Sequence, residues 1–476
     1  MSLSSTLSSA LSGLTVSSRR AEVVSTNIAN AGTAGYVRRE LAVSSRLVGM
    51  TGQGAQVDGV TRLADRVLIG DRRIAGAAAG GAGVLADYAR RMEAAFGAPG
   101  SGSSLTDRIA ALESALIAAA GQPSSAARLT QVLRAAEGLA ATFNRAAASV
   151  QEARQAADTR IAAEVAELNT ALGQVHDLNV SITAQGSAGG DVAALLDRRQ
   201  AVIDRIAAIV PLREVARDMG KVALYTTGGA VLLEAGPATI GFDPTRVITA
   251  DMTALPGLTL DGQTVRTGTG APMGGGTLGA LFAVRDAMAP TAQARLDALS
   301  RDLADRVAAV DAGAGGLFTD AGAPVTAARE TGLAARLAVN PAADPDRGGA
   351  LWRLRDGLSA TTPGPGGDGA RLSALAEALS SLRPPASPAV AGDPGARSLS
   401  GLAGEFLSAS AAERLSAEAD ATHHAARSDA LVKMELDQGV DTDAELQDLL
   451  LIEQAWAANA RVIKTVDDLI RILMGF

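Results

Sequence analysis

Residues with real chemical reach are few in this chain. It contains no cysteine, which removes disulfides, thiolate metal sites and a cysteine nucleophile together. Its three histidines are His176, His423 and His424. The last two are adjacent, so on a helix their side chains diverge by about 100° and do not share one metal well. Two solvated surface histidines fit that spacing better than a zinc site. Gly274-Gly275-Gly276-Thr277-Leu278-Gly279 satisfies G-x-G-x-x-G, with Asp297 about twenty residues on. A phosphate-cradling turn needs a buried strand before it, whereas Pro272 stands there and no strand–helix alternation surrounds the motif. A flexible hinge opening a helix is the better reading. No G-x-S-x-G, H-E-x-x-H or P-loop string occurs. Glu164, Glu167, Asp197 and Asp204 lie on helical stretches opposite arginines, as on a solvated face. The expectation is no catalytic residue, no metal, no cofactor and no enzyme.

The elements that would position a site are mostly helices. Hydrophobic residues make up 47% of the chain but aromatic residues only 3%. The apolar content is thus largely alanine, leucine and valine, suited to long helices packed through small side chains. The 476 residues suffice for about two to four domains, and 52 glycines call for frequent tight connections. A net charge of −8 opposes nucleic-acid binding, which needs a basic face. No run reaches the roughly 18 apolar residues of a membrane span; the stretch between Arg73 and Asp87 is too short and glycine-rich. The first basic residues, Arg19 and Arg20, follow the apolar positions of the opening segment instead of preceding them. A water-soluble chain without a general-secretion address or membrane insertion is expected.

Both ends carry heptads. Leu7, Leu14, Ala21 and Ile28 fall seven apart, interleaved with Leu3, Ala10, Ser17 and Val24. Leu449, Trp456, Ile463 and Ile470 form one row near the other end, and Ile452, Asn459, Val466 and Leu473 a second. Asn459 is a polar insert of the kind that fixes coiled-coil register. Each stripe is too thin to fold alone, and its first partner is the other. Between them, residues 35–60 read as an irregular β-hairpin with Gly49, Gly52 and Gly54 between its runs. Helical spacing covers 62–96, 104–119, 124–185 and 191–210, then 278–311, a short piece near 371–382, and 400–436. Short runs at 221–227, 230–233 and 257–260, punctuated by Gly and Pro, predict a small β domain.

One segment is more informative than its helix-end chemistry requires. Ser12-Gly13-Leu14 leads to Asn27-Ile28-Ala29-Asn30, then Thr33, Gly35, Tyr36 and Arg38. This string resembles the N-terminal signature of flagellar axial proteins, the family of rod, hook and hook-associated proteins. The family's proline before the glycine is Ala34 here. Tyr36 and Arg38 are nearer to the hook-associated members than to rod or hook proteins, where phenylalanine and lysine are usual. Gly439-Val440-Asp441 and Glu453-Gln454-Ala455-Trp456-Ala457-Ala458-Asn459-Ala460-Arg461-Val462-Ile463 are similar to the family's C-terminal signature, with Trp456 in place of tyrosine. Internal stretches around Leu105–Phe143, Asn179–Val210 and Gly276–Asp286 resemble it in the same order.

The resemblance implies a mainly α chain with a small all-β domain, nested so that its ends pair. Residues 1–62 with 430–476 would form a terminal coiled-coil core, 63–210 with 276–429 a helical domain, and 211–275 a small distal β domain. It implies a structural subunit of the hook–filament junction, exported unfolded through the flagellar type III apparatus and assembled on the hook tip. Its partners would be itself in a ring, the hook protein, an adjacent junction protein, and a cytoplasmic export chaperone on the C-terminal helix. Other readings are a hook, distal-rod or third hook-associated protein, or a secreted coiled-coil translocator.

Overall fold

The computed structural model describes residues 3–33, 35–48, 51–311, 315–389 and 395–475; Ala34 and Gly49 lie outside them. Helix α1 (Leu3–Asn30) leads to the antiparallel hairpin β1 (Arg39–Val48) and β2 (Thr51–Arg62). Helices α2 (Arg66–Phe96), α3 (Leu105–Gly121), α4 (Ala126–Ser187) and α5 (Ala193–Ile209) follow. Strands β3 (Leu212–Ala216), β4 (Val222–Thr226) and β5 (Val231–Leu233) form one antiparallel sheet. A second contains β6 (Ile240–Gly241), β7 (Leu258–Leu260) and β8 (Gln263–Val265). Then come α6 (Gly276–Ala283), α7 (Ala289–Ala308), β9 (Phe318–Asp320), α8 (Leu333–Arg336) and β10 (Leu337–Val339), which pairs with β9. The chain ends with α9 (Arg353–Asp356), α10 (Ala370–Ser380), α11 (Leu399–Asp437) and α12 (Thr442–Met474). The protein is mainly helical with small antiparallel sheets.

Two compact units divide the chain: Met1–Ala79 with Ala166–Ile240 and His424–Phe476, and Gly80–Val165 with Gly241–His423. The short strands over 211–275 therefore do not gather in one body. In the first unit, Asn179 donates Nδ2 to the Val222 carbonyl at 2.9 Å and accepts from the Val222 amide at 3.2 Å, holding β4 on α4. In the second unit, Asp158 accepts from the Thr245 amide at 2.7 Å, and Arg154 donates to the carbonyls of Thr249 and Met252. Those bonds fasten the chain after β6 to the second unit's part of α4.

The second unit has a conventional helical core. On α3, Leu105, Ile109, Leu112 and Leu116 recur at helical spacing and are fully buried. Ser104 and Asp107 cap its start reciprocally. Arg285 and Asp158 form a buried ion pair at 2.7 Å, and Arg285 also stacks on Phe282, 4.8 Å from its ring centre. Val284–Met288 is a π-helical turn. Pro290 follows at the start of α7; its ring lacks an N–H and crowds the carbonyl four residues back, which a locally widened helix accommodates.

The glycine-rich motif also lies here. A Cβ on Gly274 would stand 2.1 Å from the Gly268 carbonyl oxygen, and one on Gly81 2.7 Å from that of Gly276. These glycines permit the loop and α2 to approach the start of α6. Asp297 is buried and accepts from the Gly332 and Ala334 amides at 2.7 and 2.8 Å. It closes a loop. Strands β9 and β10 and helices α8 and α9 escaped the sequence reading, because three or four residues carry no periodicity.

Candidate assembly site

The first unit brings the N-terminal motif onto the C-terminal helix. Asn27, in the last turns of α1, is almost fully buried. Its Oδ1 accepts from the Tyr36 hydroxyl at 2.8 Å and the Arg39 amide at 3.1 Å. Its Nδ2 donates to the Arg39 carbonyl at 2.9 Å and to Glu445 Oε2 at 3.1 Å. All four hydrogen-bonding positions of the amide are thereby used. Glu445, 1% exposed, also accepts from Arg38 Nε at 2.7 Å. Its helix α12 is preceded by Asp441, whose side chain caps the Asp443 and Ala444 amides.

A second carboxylate anchors the hairpin. Pairing of β1 with β2 sets Arg39 opposite Arg62, and both guanidinium groups reach Asp197 on α5, at 2.7 and 2.8 Å. The Arg39 guanidinium also lies 4.8 Å from the Tyr36 ring centre. Burial raises the Tyr36 phenol above its ordinary pKa, with Arg39 opposing. Asn30 donates back to the Thr26 carbonyl and accepts from Thr33, closing the helix end, and Gly35 follows at φ 79°. Ile28 is half-buried and Ala29 exposed.

Ser12 and Gly13 serve close approach. Ser12 Oγ accepts from the Ala55 amide at 3.1 Å, and a Cβ on Gly54 would come within 2.0 Å of it. A Cβ on Gly13 would fall 2.7 Å from Asn459 Nδ2. Asn459 donates to the Ala455 carbonyl of its own helix at 3.0 Å. It therefore lies over Gly13 half-buried, with its donor satisfied locally, and is not a buried amide in search of a cross-helix partner.

The heptad rows have one covered side. On α1, Ala10, Ser17 and Val24 are buried, Leu14, Ala21 and Ile28 are half-buried, and Leu3 and Leu7 are exposed. On α12, Ile452 and Val466 are buried, and Leu449, Ile463 and Ile470 half-buried. Gln454, Ala455 and Arg461 are exposed, as are Trp456 at 50% and Leu473 at 73%. No helix of the described residues is long and apolar enough to cross a membrane, and none of their His or acidic clusters fits a metal.

Sequence reasoning missed Glu445, noted Arg39 and Arg62 only as part of terminal strings without a contact, and misread Asp197 and Asp204 as solvated. Asp204 takes Arg72 at 2.7 Å and Arg73 at 2.6 Å, while Glu164 is half-buried beneath Thr277 at 2.9 Å and raised in pKa chiefly by burial. Glu167, paired with Arg205 at the surface, does match that reading. Burial was the deciding variable, and residue type does not reveal it.

A mainly α-helical chain whose signature residues join its own two ends is similar in part to flagellar hook-associated proteins. Residues 89–325 match the family model described as the helical domain of flagellar hook-associated protein FlgK. The chain is 25% identical to flagellar hook-associated protein 1 of Salmonella typhimurium and of Salmonella typhi over 261 residues, 52% of this chain and 47% of each relative. It thus spans about half the length of the curated relatives it matches. A solved flagellar hook junction protein FlgK from Burkholderia pseudomallei is 20% identical, with a TM-score of 0.44 over 54% of this chain and 45% of that one. By the family model and the curated relatives, this chain is similar over about half its length to flagellar hook-associated protein 1. The terminal motifs lie outside the matched helical domain.

Proposed function

We propose that the chain is a structural subunit of the hook–filament junction, with residues 1–62 and 430–476 pairing as its assembling coiled-coil core. The observation that carries this reading is the tie from Asn27 and Arg38 of the N-terminal motif to Glu445 at the head of α12. It fixes the two end segments as one surface, on which Leu11, Leu450, Leu451 and Trp456 remain exposed. Neighbouring copies, the hook protein and an adjacent junction protein would cover such a surface, burying apolar area worth about 25 cal/mol per Å². Before assembly the same stripes favour export in an unfolded state through the type III apparatus, with a chaperone on the C-terminal helix.

Deleting residues 440–476 tests the reading: filament attachment should be lost while the second unit keeps its cooperative melting transition. Normal filaments on that strain would refute it. Electron microscopy of labelled subunits separates the proposal from a hook or distal-rod role, since only a junction protein is confined to the hook–filament boundary.

A further inference from the structure

The first unit holds another polar centre that the terminal motifs do not use. A cavity of about 690 Å³ opens between the start of α2, one face of α5 and strands β3 and β4. Its walls are cationic in a chain of net charge −8. Arg199, on α5, lines it and is only 7% exposed. Arg199 uses Nη1 for the Asn179 Oδ1 at 2.9 Å and the Gly220 carbonyl at 2.7 Å. Both acceptors are neutral, and among the described residues Arg199 pairs with no carboxylate. Arg62 and Arg73 line the same space but are answered by Asp197 and by Asp204 with Glu214. Arg217, paired with Glu234 at 2.9 Å, and Arg66, Arg213 and Lys221 complete the cationic wall, and the last three form no ion pair among the described residues. The acids on the walls are Asp71 and Glu214, and Glu214 is already held by Arg73 at 2.7 Å.

A buried guanidinium without an anion is costly, because desolvation is not repaid by a partner charge. Burial accordingly lowers the Arg199 pKa; Glu214 opposes this, while Arg62, Arg66 and Arg73 add to it. The planar guanidinium fork matches the oxygens of phosphate or carboxylate. Here the cations without an ion pair arrive from three elements, α2, α5 and the segment from β3 to β4. That arrangement suits an anion presenting oxygens in several directions, as tetrahedral phosphate does, better than a planar carboxylate.

We infer that this cavity binds a small, multiply charged oxyanion of the phosphate class, with Arg199 as its buried contact and Arg66, Arg213 and Lys221 as its outer contacts. Isothermal titration of the full chain with inorganic pyrophosphate, against sodium chloride of equal ionic strength, tests it. Saturable binding is expected, weakening as salt rises. The combined variant Arg66→Gln, Arg213→Gln and Lys221→Gln removes side chains that hold no ion pair in the fold. It should melt like the parent and bind about tenfold more weakly or worse. Arg199→Gln should abolish the saturable heat. The site is overturned if pyrophosphate gives no heat beyond the chloride control, or if the folded triple variant binds as the parent does. The phosphate class is overturned if citrate binds more tightly than pyrophosphate.

Discussion

At the scale of single residues, the chain's ends are joined by one amide and one carboxylate. Asn27 has no spare hydrogen-bonding position, and Glu445 receives both Asn27 and Arg38. Replacing Glu445 with Ala leaves a buried amide donor and a guanidinium short of their acceptor, which should cost about 2 kcal/mol. Amide exchange checks this: faster deuterium uptake is expected at residues 36–39 and 442–449, with no change on α3. Asp297 gives a prediction in pH. Burial pushes its carboxyl up to about 6, against the opposing bonds from Ala334, Gly332 and Gln293. The folded state then holds the proton more tightly than the unfolded chain, whose carboxyl titrates near about 3.9. This group's contribution is therefore full below about pH 4 and is lost as pH rises through about 6, a change on the order of 3 kcal/mol. A carboxyl-carbon NMR titration should place the Asp297 midpoint near 6, and Asp297→Asn should flatten the slope of stability between those pH values.

At the scale of elements, contact between α1 and α12 depends on the absence of a side chain. Gly13 admits Asn459 where any Cβ would collide at 2.7 Å. Gly13→Val should thus loosen the helix pair by about 1–2 kcal/mol. Asn459→Ala, which is otherwise mild because the amide bonds only to its own helix, should recover most of that loss in the same chain. A double-mutant cycle read by thermal unfolding measures the coupling, and simple additivity of the two changes would refute the contact.

At the scale of the whole molecule, exposed apolar residues concentrate on the end helices. Leu7, Leu11, Leu450, Leu451, Trp456, Leu469, Ile472 and Leu473 are all exposed large hydrophobics. Copies that assemble through these stripes should bury Trp456. In a chain carrying Trp352→Phe, which leaves Trp456 as the only indole of the two present, tryptophan emission should shift to the blue as subunits associate. Emission unchanged between dilute monomer and assembled subunits would place the contact elsewhere.

The sequence alone determined where the long helices, the hairpin and strands β4, β5 and β7 lie, because heptads, alternation and glycine–proline punctuation act over a few neighbouring residues. Helices expected at 104–119, 124–185 and 400–436 run over Leu105–Gly121, Ala126–Ser187 and Leu399–Asp437. It also singled out Asn27, Tyr36, Arg38 and Asn459 through their setting in two terminal strings. Tertiary structure decided what those residues touch. Glu445 stands 418 positions from Asn27 and Asp197 stands 158 from Arg39, and nothing in their spelling distinguishes them from solvated acids. Only folding assigned them burial, and burial turned ordinary carboxylates into the anchors of both chain ends. The division of the short strands between two units has the same origin. It follows from Asn179, Asp158 and Arg154 reaching backbone groups 43 to 98 residues away, a range at which local pattern carries no information.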